Sequence, residues 1–307
     1  DIWRPKVHPK QKNFSIKFTQ NIYDKEHFKD AVSTIKQNAL IAPFLSIDQE
    51  GGRVERSLNL YGGSHDLNAR AAANKGPETG KQQTDWISQE LSYLGLNMNF
   101  APVLDVDTNP ANPIIGDRSF SSDPDKVTEY GKIVTDTYKQ NHIIPVGKHF
   151  PGHGDTKTDS HLEMPEVDLS FDELENIHIK PFKALINDLP AIMAAHVHYT
   201  AFDREKIPAS VSQNVIENYL RKTLGFKGLV ISDDMVMGGI KKFTPFEACK
   251  KAINAGVNMF IFRTCNEMTI SLIEQLATAV KNKDIDPKKI DTSINYISNL
   301  KKNVAKP

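Results

Sequence analysis

The chain has 307 residues, and its 38 Lys plus Arg are balanced by 38 Asp plus Glu. That neutrality, with no long run of one sign, argues against a nucleic-acid or membrane-surface binder and leaves a small neutral molecule as the default partner. The two cysteines, Cys249 and Cys265, imply no disulfide framework, and no run of 18 apolar residues is present to span a membrane.

In chain order, FSIKFTQ (14–20) reads as a strand, and the polar residues before it supply no other. Six further apolar runs follow: APFLSID (42–48), LNMNFAPVLDV (96–106), IIPVGKHF (143–150), AIMAAHVHY (191–199), GLVISDD (228–234) and VNMFIF (257–262). Short runs of this kind form buried parallel strands. Between them lie helix signals. Asp123 with Pro124 opens a helix to about residue 140, and Ser170 with Glu173 makes a capping box. Thr244, Pro245 and Glu247 open a helix that Gly256 ends, and Asp286 with Pro287 opens the last. No glycine-rich nucleotide fingerprint follows any strand, which disfavours a doubly wound sheet. The pattern predicts one domain over residues 1–307, a (β/α)8 TIM-type barrel whose first strand is irregular or missing.

Polar residues gather where the apolar runs end: Asp48 and Glu50, Asp105 and Asp107, Lys148 and His149, His196 and His198, Asp233 and Asp234. In a barrel those ends meet on one face, where catalytic groups are drawn from several strands. Any one such aspartate is as readily a helix cap. Five ends together point to a site.

The stretch KHFPGHGDTKTDSH (148–161) concentrates three histidines and two glycines among charged residues. A metal site made of His149, His153, Asp155, Asp159 and His161 would match no compact ligand spacing. A structural turn around Pro151, Gly152 and Gly154 accounts for His153 but not for Asp159 and His161. Those two suit a general acid/base pair, in which the carboxylate orients the imidazole. A Ser–His–Asp triad is the rival, but Ser160 sits on no strand-to-helix elbow. With few apolar anchors, residues 154–161 are expected to be mobile and to close over a ligand.

IDQEGGRVER (47–56), NFAPVLDV (99–106), GDRSF (116–120), KHFPGHGDTKTDSH, AHVHY (195–199) and VISDDMVMGG (230–239) together resemble, in order, the β-N-acetylglucosaminidases of glycoside hydrolase family 3. The resemblance implies a TIM-type barrel and a retaining hydrolase that removes non-reducing terminal GlcNAc from muropeptides linked to 1,6-anhydro-MurNAc. It carries the nucleophile onto Asp233 and the acid/base onto His161 with Asp159 as partner. It carries the sugar-binding positions onto Asp48, Arg56, Arg118, Lys148 and His149. It implies no metal and no organic cofactor, and the balanced charge already argues against a nucleic-acid partner. A cytoplasmic monomer is expected from the resemblance to compact single-domain members, which likewise stop after a helical segment such as 286–303; an exported form lacking its leader is the alternative, since the polar start DIWRPKVHPKQ carries no signal-peptide core and no Met begins it. The family strand that precedes the equivalent of FSIKFTQ has no counterpart in residues 1–13. Rival functions are a phosphorylase of the same family, a catalytically silent sugar-binding protein and a metal hydrolase.

Overall fold

The computed structural model describes residues 24–57, 67–264 and 266–304. FSIKFTQ, the residues before it and Cys265 lie outside these described residues. Each of the six other apolar runs contributes one strand to a six-stranded sheet: β1 (Ser46–Ile47), β2 (Met98–Asn99), β3 (Ile144–Phe150), β4 (Ala191–Ala194), β5 (Leu229–Asp234) and β6 (Met259–Ile261). They lie side by side in chain order, and every neighbouring pair is parallel. Parallel neighbours require crossovers, and the helices supply them.

The sheet is curled. Flat, its five inter-strand spacings would hold the edge strands about 24 Å apart. Yet Ser46 and Asp48 from the β1 side and Ile261 and Arg263 from the β6 side line a single cavity of about 450 Å³. Alternation along each strand then sorts the core into two layers. Met98, Phe100, Ile144, Val146, Ala191, Met193, Leu229 and Ile231 form one cluster on the concave side. Ile192, Ala194 and Val230, one residue out of step, join the larger layer that packs the sheet against its helices.

The helix signals hold. The helices α1 (Lys25–Asn38), α2 (Ala69–Lys75) and α3 (Pro77–Tyr93) precede α4 (Pro124–Gln140), where Asp123 accepts the Asp125 N–H. Ser170 and Glu173 cap each other, but the winding then changes from Phe171–Glu173 into a π-type turn over Leu174–His178 before Lys180–Ala184. In α5 (Pro245–Ala255) Thr244 and Glu247 cap reciprocally, and Gly256 closes the helix at φ 105°, a left-handed conformation that glycine adopts without steric cost. The helices α6 (Glu267–Lys281) and α7 (Pro287–Val304) complete the described chain.

Helix α7 crosses the N-terminal ends of the strands. Its Tyr296 stacks on Arg221, whose guanidinium donates to the carbonyls of Phe226 and Gly228 just before β5. Ser293 accepts from Asn258, just before β6, and Tyr296, Ile297 and Leu300 join the concave cluster. One end of the curled sheet is thereby filled with apolar side chains, and polar groups collect at the other. No helix among the described residues is long and apolar enough to cross a membrane.

Candidate active site

Strand parity delivers the first polar groups. On β3 the side chains of Ile144 and Val146 join the concave cluster, so Lys148 follows them on that face; on β5, Leu229 and Ile231 are followed by Asp233. His149 would point away under strict alternation, but the β3–β4 register shifts between Gly147 and Phe150, and both residues line the cavity.

Lys148 is 2 % exposed and lies 2.8 Å from Asp48 and 2.6 Å from Glu50. Glu50 also receives two bonds of 2.9 Å from Arg118, which donates a third to the Ile114 carbonyl. Burial alone would raise the Glu50 carboxyl, but Arg118 and Lys148 hold it far below the usual carboxylate range. Burial likewise pushes Asp48 up, and Lys148 and Arg56 outweigh it. Asp48–Lys148–Glu50–Arg118 is therefore a chain of alternating fixed charges, a rigid set of donors and acceptors suited to a polyhydroxylated ligand.

Asp105 is a second fixed node. Its Oδ1 accepts the main-chain N–H groups of His149 (3.1 Å) and His153 (2.7 Å), and its Oδ2 lies 2.6 Å from His149 Nδ1. Burial pushes this carboxyl up, yet the field and hydrogen bond of His149 bring it down to about 2. An ionised carboxylate only accepts, so His149 carries a proton on Nδ1. His153, lowered to about 4 by burial and by His149, is neutral at pH 7 and bonds Thr156 Oγ1 (2.8 Å) and Ser160 Oγ (2.9 Å). The turn reading thus fits His153. The serine–histidine contact is no triad, because its third member is a threonine hydroxyl and Ser160 is buried.

The 154–161 segment is apolar-poor, but it has more anchors than its composition implies. Asn112 donates to the carbonyls of His153 and Gly154, Asn109 to that of Thr156, and Thr108 to Asp155. Beyond β5, the Gly238 and Gly239 N–H groups donate to the carbonyls of His161 and Ser160 at 3.0 and 2.9 Å. A Cβ on Gly238 would lie 2.1 Å from the Leu162 carbonyl carbon, so the loop docks directly on glycine backbone. The M-G-G that follows S-D-D is the seat of the histidine loop.

On that loop His161 Nδ1 lies 2.7 Å from Asp159 Oδ1, which also accepts the His161 N–H at 2.8 Å. Burial pushes Asp159 up, but the backbone and ring bonds from His161 keep it below its ordinary value. The His161 side chain is 48 % exposed and lines the cavity. The adjacent aspartates of β5 differ in setting. Burial opposes ionisation of Asp233, but His149, the Asp234 N–H and Lys148 lower its pKa. Burial raises that of Asp234, whose Oδ2 lies 3.1 Å from Arg263.

Asp48, Arg56, Arg118, Lys148, His149, His161 and Asp233 therefore line one cavity, with Asp159 bonded to His161. Of the strand-end residues, Glu50, Asp105, Asp107, His196 and His198 do not line the cavity. His196 and His198 are buried and bond Ser210 and the Ile207 carbonyl instead, because β4 ends before them; Asp107 pairs with Arg70. Glu50 and Asp105 have structural duties that the sequence reading did not assign; their only signal was their place at a strand end. Arg263, at the cavity wall, was missed altogether. Among the described residues no group of three His, Cys, Asp or Glu is arranged to hold a metal ion.

A family model described as "Glycosyl hydrolase family 3 N terminal domain" matches residues 13–300. The chain belongs to glycosyl hydrolase family 3. Among its family 3 relatives, "Beta-hexosaminidase A" of Pseudoalteromonas piscicida is 35 % identical over 280 residues, covering 84 % of this chain and 47 % of the relative. A "Beta-hexosaminidase" of Tolumonas auensis is 36 % identical over 255 residues, covering 82 % and 75 %. A solved family 3 β-N-acetylglucosaminidase from Paenibacillus sp. str. FPU-7 superposes with a TM-score of 0.88 at 34 % identity, over 94 % of this chain and 56 % of that one. The chain thus spans about half the length of the first relative and of this solved structure, and its sheet corresponds to the family's N-terminal domain.

Proposed function

We propose that the chain is a retaining β-N-acetylglucosaminidase, built as one catalytic (β/α)8 domain, with Asp233 as nucleophile and His161, oriented by Asp159, as acid/base. The observation that carries this reading is the shared cavity: a carboxylate kept ionised at a strand end and a half-exposed imidazole on the docked loop line it together. The beta-hexosaminidase names of the relatives support it.

In the first step Asp233 attacks the anomeric carbon while the bond to the leaving oxygen breaks, and that oxygen takes the proton from His161 Nε2. In the second, His161 removes a proton from water, water attacks the same carbon, and the Asp233 carboxylate leaves. Two inversions at one carbon retain its configuration. Asp48, Arg56, Arg118, Lys148 and His149 bind the sugar hydroxyls, and the leaving group is the 1,6-anhydro-MurNAc portion of a muropeptide.

The test is product analysis on an aryl β-N-acetylglucosaminide and on GlcNAc-1,6-anhydro-MurNAc, with and without phosphate. β-GlcNAc as the first-formed product in both buffers is expected. Accumulation of GlcNAc 1-phosphate would reassign the chain as a phosphorylase, and binding without turnover would make it a sugar-binding protein.

A further inference from the structure

His196 lies at the end of an apolar run, yet its ring is wholly buried and does not line the cavity. Its Nδ1 is 2.7 Å from Ser210 Oγ and its Nε2 is 3.2 Å from the main-chain oxygen of Asp234. A carbonyl oxygen only accepts, so Nε2 carries the proton, and a neutral ring then offers the Nδ1 lone pair to the Ser210 hydroxyl. Burial lowers the pKa of this ring, which keeps it neutral. Ser210 is fixed in turn, in the short turn Ala209–Val211, with its N–H donating to the Ala195 carbonyl at 3.1 Å. Gly239 closes the other side: a Cβ there would lie 2.5 Å from the His196 carbonyl oxygen.

The residue that His196 grips is the last of β5. Asp234 uses its N–H to hold Asp233 Oδ1 at 2.8 Å, while its own carboxylate accepts from Val236 and Arg263. Every polar group of Asp234 is thus engaged, and its N–H aims the Asp233 carboxylate. We propose that the Ser210–His196 pair is a positioning device for Asp233: together with the Met237 N–H at 3.0 Å it anchors the Asp234 carbonyl, and so the main chain whose preceding N–H holds the carboxylate, before substrate arrives. The proposal rests on the reading of Asp233 as nucleophile. His196 does not line the cavity, so it acts through the main chain at the end of β5 rather than on the sugar.

The experiment compares His196→Leu, His196→Gln and Ser210→Ala in the whole chain. The pre-steady-state burst of 2,4-dinitrophenyl β-N-acetylglucosaminide reads formation of the glycosyl-enzyme, calorimetry reads GlcNAc binding, and thermal unfolding is followed alongside. Because misplacement of a reacting group by about 1 Å can cost roughly 100-fold, His196→Leu is expected to slow the burst about 10- to 100-fold. Its GlcNAc Kd should stay within about 3-fold, since the proposed sugar-binding groups stand on other strands and loops. His196→Gln, whose amide N–H can reach the Asp234 carbonyl, is expected to recover the burst to within about 5-fold of wild type. If the leucine variant does not fold, Ser210→Ala keeps the imidazole but frees its tautomer, and a burst slowed about 3- to 10-fold is expected. A wild-type burst in His196→Leu, or equal losses in the leucine and glutamine variants, would overturn the proposal. So would a wild-type burst in Ser210→Ala. The underlying reading fails separately: an Asp233→Ala variant that still forms a glycosyl-enzyme removes the nucleophile assignment, and the positioning role with it.

Discussion

Replacing Glu50 with alanine removes one carboxylate from between two buried cations. Its side chain is 4 % exposed, and it holds Lys148 at 2.6 Å and Arg118 through two bonds of 2.9 Å. In the variant Lys148 keeps Asp48 at 2.8 Å, whereas Arg118 keeps, among the described residues, the hydrogen bond to the Ile114 carbonyl. Breaking a buried ion pair by deleting one partner costs about 3–5 kcal/mol, and the surviving Asp48 contact places this case near 3 kcal/mol. At roughly 2.1 cal/mol/K per residue, the 307-residue chain has an unfolding entropy of about 0.65 kcal/mol/K, so Tm should fall by about 5 °C at pH 7.

The sign of the pH dependence follows from the same contacts. The folded Glu50 pKa is depressed, so its stabilisation is complete above the unfolded value of about 4.3 and is lost as pH falls towards the folded one. Glu50→Ala lacks that slope, and the Tm gap to wild type should narrow on acidification from pH 6 to about pH 3. Differential scanning calorimetry at several pH values checks both statements. A wild-type Tm in the variant at pH 7, or a gap that stays constant down to pH 3, would refute the argument.

Three further outcomes are expected. His161→Ala should slow glycosylation far less on an activated aryl glycoside, whose leaving group needs little protonation, than on the GlcNAc-1,6-anhydro-MurNAc disaccharide; equal losses in single-turnover rates would exclude His161 as the acid. A thiazoline mimicking the cyclised acetamido intermediate should inhibit weakly, because Asp233 makes substrate assistance unnecessary; tight inhibition would show that the acetamido oxygen is the nucleophile. Gly154→Ala should destabilise the site face, since its Cβ would sit 1.7 Å from the Val106 carbonyl oxygen, and a variant with unchanged Tm and turnover would contradict that packing.

Local rules read well in this chain. Six of the seven apolar runs supply the strands of the parallel sheet in order, the seventh lying outside the described residues, and Asp123, Ser170, Thr244 and Gly256 cap where their spacing said they would. Parity along IPVGKH and LVISDD carries Lys148 and Asp233 to the cavity. What could not be read is what depends on contacts between distant segments. Glu50 bridges residues 68 and 98 positions away, and no spacing rule encodes that. The anchoring of 154–161 comes from Asn109, Asn112 and Gly238–Gly239, so composition alone suggested a looser segment. His196 and His198 looked like cavity residues because β4 seemed to run on to Tyr199; the strand ends at Ala194, and His198–Tyr199 pairs with Glu166–Val167 instead. The π-type turn at Leu174–His178 follows a sound capping box, which specifies where a helix starts but not how it winds.

The central claim is that Asp233 forms the covalent intermediate. The direct test is to trap the enzyme with a fluorinated GlcNAc donor that slows deglycosylation, digest it and locate the added mass by tandem mass spectrometry. The account predicts one sugar per chain, esterified to Asp233 in the peptide containing VISDDM, and none in Asp233→Ala. A sugar attached to Asp234 or to any residue outside that peptide, or a rapidly turning-over enzyme that never carries an adduct, would contradict it.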